Sequence, residues 1–267
     1  MSLKDILFQF LTLFSFGCFI ALIFIPAETI GYKFFSTQAL FSIFTLAGAL
    51  SVHFYRIIVL KSAIPLFSYV YISILVILIL YYVFIIKHRF LYSWCFLIVN
   101  GILCLIGLYA HSFFLMGDVS SLFQFMFTLS SFASVSLIGC VFTAMMLCHW
   151  FFVFHKLPIK YLKRMSHLFT YAVIFKILSV GVVLWLWKLG HLNSFGQVFP
   201  LDNNLTLLYL RFGIGLFIPL ILSFGSDITI KIPANHSAIG ILYLAVILVF
   251  MGEVLGQYLT LIHQIPL

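Results

Sequence analysis

The chain of 267 residues is 64% hydrophobic and only 7% charged, with a mean hydropathy of +1.25. Soluble domains carry about 25% charged residues, so this composition excludes a soluble protein and indicates an integral membrane protein. The formal net charge of +8 does not indicate a nucleic-acid partner. The basic residues fall mainly in short loops between apolar runs, where positive charge is a signal of membrane topology.

Eight apolar runs follow one another along the chain, most of them near the roughly 20 residues with which a helix crosses a bilayer. The predicted spans are 6–25, 36–55, 64–86, 90–113, 123–154, 168–187, 206–224 and 237–261. The fifth is too long for a straight crossing, which indicates a tilted helix or ends that lie in the interfaces. Because all connections are short, the sequence predicts an all-α fold: a polytopic transmembrane bundle of about eight helices, with residues 1–267 as a single transmembrane helical domain.

The basic residues of the loops predict the orientation of the chain. The loops after spans 1, 3, 5 and 7 hold Lys33, Lys87, Arg89, Lys156, Lys160, Lys163, Arg164 and Lys231. The opposite side holds Lys4, Arg56, Lys61 and Lys188. Since the more basic side should be cytoplasmic, we expect a multi-pass protein of the cell inner membrane with both termini outside.

The last predicted span carries a single acid, Glu253. A charged group in a transmembrane helix is costly unless it faces protein, water or a partner. Arg211 in the seventh span lies five residues from the predicted outer boundary and Glu253 lies eight from it, or roughly 8 and 12 Å deep. The sequence therefore predicts that Arg211 and Glu253 pair, with Lys176 of the sixth span as a third member.

Two interpretations of these charges stay open. A buried ion pair or triad can simply fix the register of the helices, whereas ionisable residues inside membranes also mark substrate, proton or ion pathways. In the functional interpretation Glu253 is the catalytic proton acceptor, and Arg211 and Lys176 bind substrate. One carboxylate does not neutralise two cations, so Lys176 would favour an anionic guest or lose its proton.

Histidines offer a second hypothesis. His53 and His111 are the one pair on different helices that falls at matching depth, near the outer ends of spans 2 and 4. A b-type haem with two histidine ligands needs this arrangement, so His53 and His111 are candidate haem ligands. The five cysteines lie in apolar spans without a CxxC pair, and the sequence shows no zinc or iron–sulfur motif and no motif of soluble hydrolases.

Two blocks of the sequence resemble known membrane proteins. MLCHWFFVFHKLPIKYLKR from Met146 and HSAIGILYLAVILVFMGEVLGQYL from His236 resemble blocks of bacterial multi-pass proteins without an established activity. The segment from Gly252 to Gln257 also resembles the end of the last spans in the dimethyl sulfoxide reductase anchor family, related to NrfD-type anchors. In that motif an Arg follows the second glycine, where this chain has Gln257.

The anchor family has about eight spans and exchanges electrons between a quinone and an attached iron–sulfur subunit, without needing haem. The resemblance therefore implies a quinone as bound substrate, an iron–sulfur redox subunit as partner, and Glu253 in or beside the quinone pocket. We accordingly expect a quinone-interacting integral membrane anchor subunit of an electron-transfer complex. The alternatives are a small-anion or proton transporter or channel, and a b-type cytochrome membrane subunit with His53 and His111 as ligands.

Overall fold

The computed structural model describes residues 3–61, 64–88, 90–116, 121–153, 158–188, 201–231, 235–263 and 266. These residues form helices and short connections, and none of them lies in a strand. The helices are α1 (Leu3–Ile20, extended by a 3₁₀ turn Ala21–Phe24), α2 (Ala27–Ile30), α3 (Tyr32–Leu60), α4 (Leu66–Ile86), α5 (Phe90–Met116), α6 (Ser121–Val153), α7 (Ile159–Lys188), α8 (Leu201–Phe212), α9 (Ile218–Lys231) and α10 (Asn235–His263), with a π-helical segment (Gly213–Phe217) between α8 and α9. The predicted all-α fold is confirmed.

Eight helical segments of the described chain are long and apolar enough to cross a membrane, as predicted. Large apolar side chains point outward along them, among them Phe44, Leu178 and Ile247. In a bilayer these side chains meet lipid while the helices satisfy their own backbone hydrogen bonds. The architecture is therefore that of a multi-pass membrane protein.

The helices at the centre of the bundle are α1 and α6, which are the most buried of the eight spans. They cross at Gly17 and Gly139, where a Cβ on Gly17 would come within 2.8 Å of Gly139 N. Small residues at such crossings let two backbones approach closely, which gives the dispersion contacts that hold membrane helices together. A continuous buried apolar cluster extends from this crossing to α10.

Buried polar side chains tie the outer helices to this centre. Ser15 Oγ of α1 donates to Ser42 O of α3 at 2.7 Å, and Gln38 Nε2 of α3 donates to Thr143 Oγ1 of α6 at 3.2 Å. On the other side of the bundle, the Ser166 and Ser226 hydroxyls join α7 to α9 at 2.7 Å. Such interhelical hydrogen bonds satisfy groups that lipid would leave unpaired.

The helical segment of the seventh span is longer than the predicted 206–224 and is not α-helical throughout. It runs from Leu201 to Lys231 and contains the π segment, in which Ile218 N–H donates to Gly213 O. Pro219 follows, and because proline has no N–H it removes the α-helical donor for the carbonyl four residues before it. A π segment of this kind re-pairs part of the backbone, and π segments are frequent at functional sites.

The sixth span begins earlier than predicted. Because α7 starts at Ile159, the basic residues Lys160, Lys163 and Arg164, which the sequence analysis assigns to a loop, lie in its first two turns. Pro158 stands directly before this helix, where its missing N–H costs nothing. The three charges remain at the predicted end of the bundle, whereas Arg89 and Lys156 lie outside the described residues.

Candidate functional site

The predicted pairing of Arg211 and Glu253 is confirmed. Arg211 Nη2 donates to Glu253 Oε1 at 2.9 Å, and both side chains are 0% exposed. Each residue lies ten positions from the end of its helix, Leu201 or His263, which is about 15 Å along a helix. Both helices extend beyond their apolar runs; within the segments that could span a membrane, Thr206–Ile230 and Ser237–Ile262, Arg211 lies five residues and Glu253 nine residues from the nearer end, close to the predicted five and eight.

Three glycines provide the space for the Arg211 guanidinium. A Cβ on Gly256 would lie 2.8 Å from Arg211 Nε and 2.9 Å from Cζ, and a Cβ on Gly252 would lie 3.2 Å from Nη1. On the facing segment, a Cβ on Gly215 would lie 2.9 Å from Nη1 and 2.7 Å from Gly252 Cα. The guanidinium thus packs against the glycine backbone of α10. The π segment crosses α10 at van der Waals distance. No other residue type fits at these positions without displacing the charge.

Lys176 is the third buried charge, as predicted. Its side chain is 0% exposed, and Nζ donates to Ser130 Oγ at 2.9 Å and to Ser130 O at 3.3 Å. The ammonium lies close enough to Glu253 and Arg211 to interact electrostatically with both. Arg211, Glu253 and Lys176 are called the charged cluster below, and the side chains that hold it come from α6, α7, α8 and α10.

The hydrogen bonding of the charged cluster is incomplete among the described residues. Arg211 Nε and Nη1 and Glu253 Oε2 have no partner there, nor has Gln257 Oε1 one turn further along α10. Ser134 of α6 interacts with the Glu253 carboxylate, but its hydroxyl forms no well-aligned hydrogen bond. Buried polar groups in native structures are nearly always paired. The free carboxylate oxygen can therefore accept a proton or a hydrogen bond, and the free guanidinium N–H groups can donate to a hydroxyl or another polar guest.

An apolar groove lies on the lipid side of the charged cluster. It encloses about 540 Å³ and is lined by Phe10, Leu210, Ile214, Phe250, Met251, Val254 and Leu255. Leu210 precedes Arg211 in the chain, and Met251 and Val254 flank Glu253. We call this the apolar groove; apart from Phe10 of α1, its lining residues belong to the same segments, α8, the π segment and α10, as Arg211 and Glu253 and the glycines around them.

His53 and His111 line a second cavity, at the end of the bundle that holds the N-terminus. This histidine cavity has about 270 Å³ and is lined by Lys4, Asp5, Phe8, Gln9, Val52, His53, Arg56, Phe67, His111, Phe114 and Leu261. His53 Nε2 is hydrogen-bonded to Ser68 Oγ at 2.9 Å. The predicted proximity of the two histidines is thus confirmed.

The residues of the histidine cavity do not fit a bis-histidine haem. The Phe8 ring lies 4.9 Å from the His53 ring and 5.5 Å from the His111 ring, and the Phe67 ring lies 5.0 and 4.9 Å from them, between centroids. The two phenylalanines therefore occupy space between the imidazoles, where a macrocycle would have to lie, and the His53 Nε2 atom is hydrogen-bonded to Ser68 Oγ. Among the described residues no group of three or more His, Cys, Asp or Glu could hold a metal ion. Haem ligation stays a prediction, and an optical spectrum of the purified protein tests it.

Several residues of these sites were not singled out in the sequence. Gln9 and Ser134 are not among its candidates, and Gln257 appears there only as a departure from the anchor-family motif. Gly252 and Gly256 carry the one available signal, since small residues four apart predict a close helix contact. The sequence did not show that this contact is with an arginine.

The structure leaves the family of the chain open, and so does its sequence. Compared with protein-family models, with curated proteins and with solved structures, the chain matches none of them.

Proposed function

We propose that the chain is a quinone-interacting integral membrane subunit of an electron-transfer complex. The observation that carries this proposal is the Arg211–Glu253 ion pair, buried in the membrane with unpaired polar atoms and placed directly behind the apolar groove. A structural ion pair would be expected to satisfy all its atoms, because an incompletely paired buried charge is strongly destabilising. The unpaired carboxylate oxygen favours a role in proton exchange.

The apolar groove supports a lipid-soluble ring as the substrate. Its volume of about 540 Å³ falls in the range of roughly 300–1,000 Å³ in which small-molecule sites lie. All of its lining side chains are apolar, so it accepts a ring with an isoprenoid tail that enters from lipid. In this arrangement Glu253 exchanges a proton with a ring oxygen, while Arg211 holds the carboxylate in place and stabilises its charge.

The π segment supplies the movement that this function requires. Glu253 is 0% exposed, so the carboxylate meets the groove only when the segment from Gly213 to Phe217 shifts. Single-turn π segments inside α-helices occur frequently at functional sites. Ile214 lies within this segment and lines the groove, which couples occupancy of the groove to the segment.

The resemblance to the dimethyl sulfoxide reductase anchor family supports the same proposal. Where that motif has an Arg after its second glycine, this chain has Gln257, but Arg211 brings a guanidinium against the same glycine, Gly256, from another helix. This chain therefore also has a guanidinium beside a carboxylate on a surface of glycines. An iron–sulfur subunit that exchanges electrons with the quinone belongs to this proposal as the partner.

Groove-filling variants test the proposal. Ile214→Trp places an indole in the groove, and Ile221→Trp adds the same group to an exposed, lipid-facing site outside it. We expect the purified chain to bind a decyl-tailed benzoquinone, with affinity lowered about tenfold or more by Ile214→Trp because the ring loses its apolar site, and unchanged by Ile221→Trp. Purification should also recover bound quinone and a cluster-bearing partner. A chain that binds no quinone, or two variants that bind it equally, would contradict the proposal.

A small-anion or proton transporter is a second candidate, favoured by Lys176. The structure brings its ammonium within electrostatic reach of the ion pair, and buried cations at such sites attract anions or relay protons. Flux into proteoliposomes tests this with Lys176→Met, against Lys163→Met on the exposed first turns of the same helix. Loss of flux only in Lys176→Met is expected for a transporter; equal flux in both excludes Lys176 from the path.

For the orientation we propose that both termini face outward across the cell inner membrane, with the basic first turns of α7 in the cytoplasm. Thiol labelling of intact cells tests this with Lys4→Cys and Lys163→Cys, each combined with Cys95→Ser because Cys95 is the exposed one of the five cysteines. An impermeant reagent should label position 4 and spare position 163. The reverse pattern would overturn the orientation.

A further inference from the structure

The histidine cavity is separate from the apolar groove. It opens at the end of the bundle that holds the N-terminus, between α1, α3, α4 and α5, with Leu261 of α10 at its edge. None of its lining residues lines the groove. A ligand of the cavity is therefore recognised by different chemistry from a ligand of the groove.

The walls of the cavity are aromatic. Phe8 stacks on the His53 ring at 24° and meets the His111 ring edge-on at 86°, while Phe114 lies 5.0 Å from Phe67 between centroids. Aromatic rings attract another flat ring by offset stacking or edge-to-face contact. The volume of about 270 Å³ suits one ring, and any tail must leave through the mouth.

The polar atoms of the cavity include an acceptor in need of a donor. Gln9 lines the cavity and is only 3% exposed, yet its Oε1 has no hydrogen-bond partner among the described residues. The His111 imidazole, 7% exposed, lies on the same cavity. Leaving a buried acceptor unpaired is costly, so a ligand that donates a hydrogen bond to Gln9 Oε1 gains affinity that a pure acceptor cannot gain.

The mouth of the cavity disfavours a simple anion or cation. Asp5 forms an ion pair with Arg56 there, and the Lys4 ammonium lies 4.1 Å from the centroid of the Tyr55 ring. Both signs of charge are thus present and already engaged. A neutral ligand that combines a flat apolar ring with a hydroxyl group meets the walls and the acceptor without desolvating a further charge.

We propose that the histidine cavity is a binding site for a hydroxyl-bearing aromatic ring, that is, a phenol or hydroquinone head group. The ring stacks among Phe8, Phe67 and Phe114, and its hydroxyl donates to Gln9 Oε1. This chemistry is shared by lipid-borne hydroquinones and by free phenols. The site stands apart from the groove and the charged cluster, so it does not depend on the proposed function.

Binding of matched probes to the full-length chain in nanodiscs tests the site. The probes are a decyl-tailed benzohydroquinone, kept reduced, and its dimethyl ether, which has the same ring but no donor. We expect the hydroquinone to bind about tenfold or more tightly than the ether, because the ether leaves Gln9 Oε1 unpaired. Gln9→Leu should remove this preference. Equal binding of the two probes to the unmodified chain would overturn the proposal.

A second pair of variants keeps the test decisive if Gln9→Leu fails to fold. Leu261→Trp fills the mouth of the cavity from a partly exposed position, and Ile262→Trp adds the same group to the adjacent exposed residue, which does not line the cavity. Hydroquinone affinity should fall about tenfold or more in Leu261→Trp, as the ring loses its site, and stay unchanged in Ile262→Trp. Equal affinity in the two variants would overturn the proposal.

Further experiments distinguish a lipid-borne ligand from a free phenol, and binding in the cavity from binding in the groove. Methylhydroquinone, which has no tail, should bind as tightly as the decyl compound if the natural ligand is a free phenol. If the natural ligand is lipid-borne, methylhydroquinone should bind more weakly by a factor of about ten or more, because each buried methylene adds affinity. Either result supports the site. Hydroquinone binding that is lost in Ile214→Trp but kept in Leu261→Trp would overturn the cavity and leave the groove standing. Loss in Leu261→Trp alone supports the cavity whether or not the groove binds quinone.

Discussion

The charged cluster and the histidine cavity both bury polar side chains, but they hold them in different ways. In the charged cluster three ionisable side chains are sealed at 0% exposure, with Arg211 packed against the backbone of Gly252 and Gly256. In the histidine cavity two imidazoles and an amide line open space between phenylalanine rings. Full charges must be enclosed by protein to keep lipid away, whereas neutral polar groups tolerate a cavity. Substitutions in the charged cluster should therefore destabilise the protein far more than those in the cavity.

The largest effect is expected for Glu253→Gln. It leaves Arg211 as an uncompensated buried charge, and breaking one partner of a buried pair costs about 3–5 kcal/mol in the free energy of unfolding. The double variant Glu253→Gln with Arg211→Gln should recover most of that stability, as measured by thermal unfolding in detergent. If Glu253 exchanges protons, the double variant should still show no quinone turnover, because a carboxamide does not accept a proton at neutral pH. A single variant as stable as the unmodified chain would show that the pair is not an energetic unit.

A smaller loss is expected for Gly252→Ala. The added methyl group would overlap the backbone of Gly215, so α10 and the π segment must separate; overpacking of this kind costs about 1–3 kcal/mol. Gly240→Ala is the matched control on the same helix, because a Cβ there meets nothing within 4 Å. Gly240→Ala should leave the free energy of unfolding unchanged or raise it by up to about 1 kcal/mol, because alanine has a higher helix propensity than glycine. Equal stability of the two variants would contradict the close crossing.

A smaller effect again is expected for Ser130→Ala. It removes the hydroxyl that accepts the 2.9 Å hydrogen bond from Lys176 Nζ, and a hydrogen bond to a charged group contributes about 1.5–3 kcal/mol, part of which the Ser130 carbonyl retains. Ser136→Ala is the control, since the Ser136 hydroxyl donates to the carbonyl of Phe132 in its own helix. Denaturation of both variants should rank Ser130→Ala below Ser136→Ala. The reverse order would place the Lys176 ammonium elsewhere.

The smallest effect is expected in the histidine cavity, for Ser68→Ala. The variant removes the partner of His53 Nε2, but the imidazole is only partly buried and faces the cavity, where water can replace the lost bond. Loss of one neutral hydrogen bond then lowers stability by about 0.5–1.5 kcal/mol. Thermal unfolding of Ser68→Ala is compared with that of Ser73→Ala, because the Ser73 hydroxyl donates to Val70 O within α4. The difference between the two variants gives the contribution of the hydrogen bond between Ser68 and His53. A loss as large as that of Glu253→Gln would remove the distinction between the two sites.

The eight spans and the Arg211–Glu253 pair could both be predicted from local properties of the sequence. Apolar runs and rare charges are local properties, and a buried acid needs a cation at similar depth, which Arg211 offers on the preceding span. The depth of the pair followed from the ends of the apolar runs and not from the helix ends, since helices α8 and α10 continue past those runs into polar residues. The matching depth of His53 and His111 was also predicted correctly. Haem ligation by the two histidines stays a prediction, and the sequence did not show that Phe8 of α1 and Phe67 of α4 pack against both rings.

By itself, the sequence determined that this is a multi-pass helical membrane protein and which of its buried charges must meet, since hydrophobicity and charge act on each segment independently of the fold. The tertiary structure decided which glycines carry the guanidinium, where the seventh span is π-helical, and which side chains share the histidine cavity. These features depend on how helices distant in sequence cross. A crossing is set by the summed packing of many small side-chain contacts, to which no single residue in the sequence points.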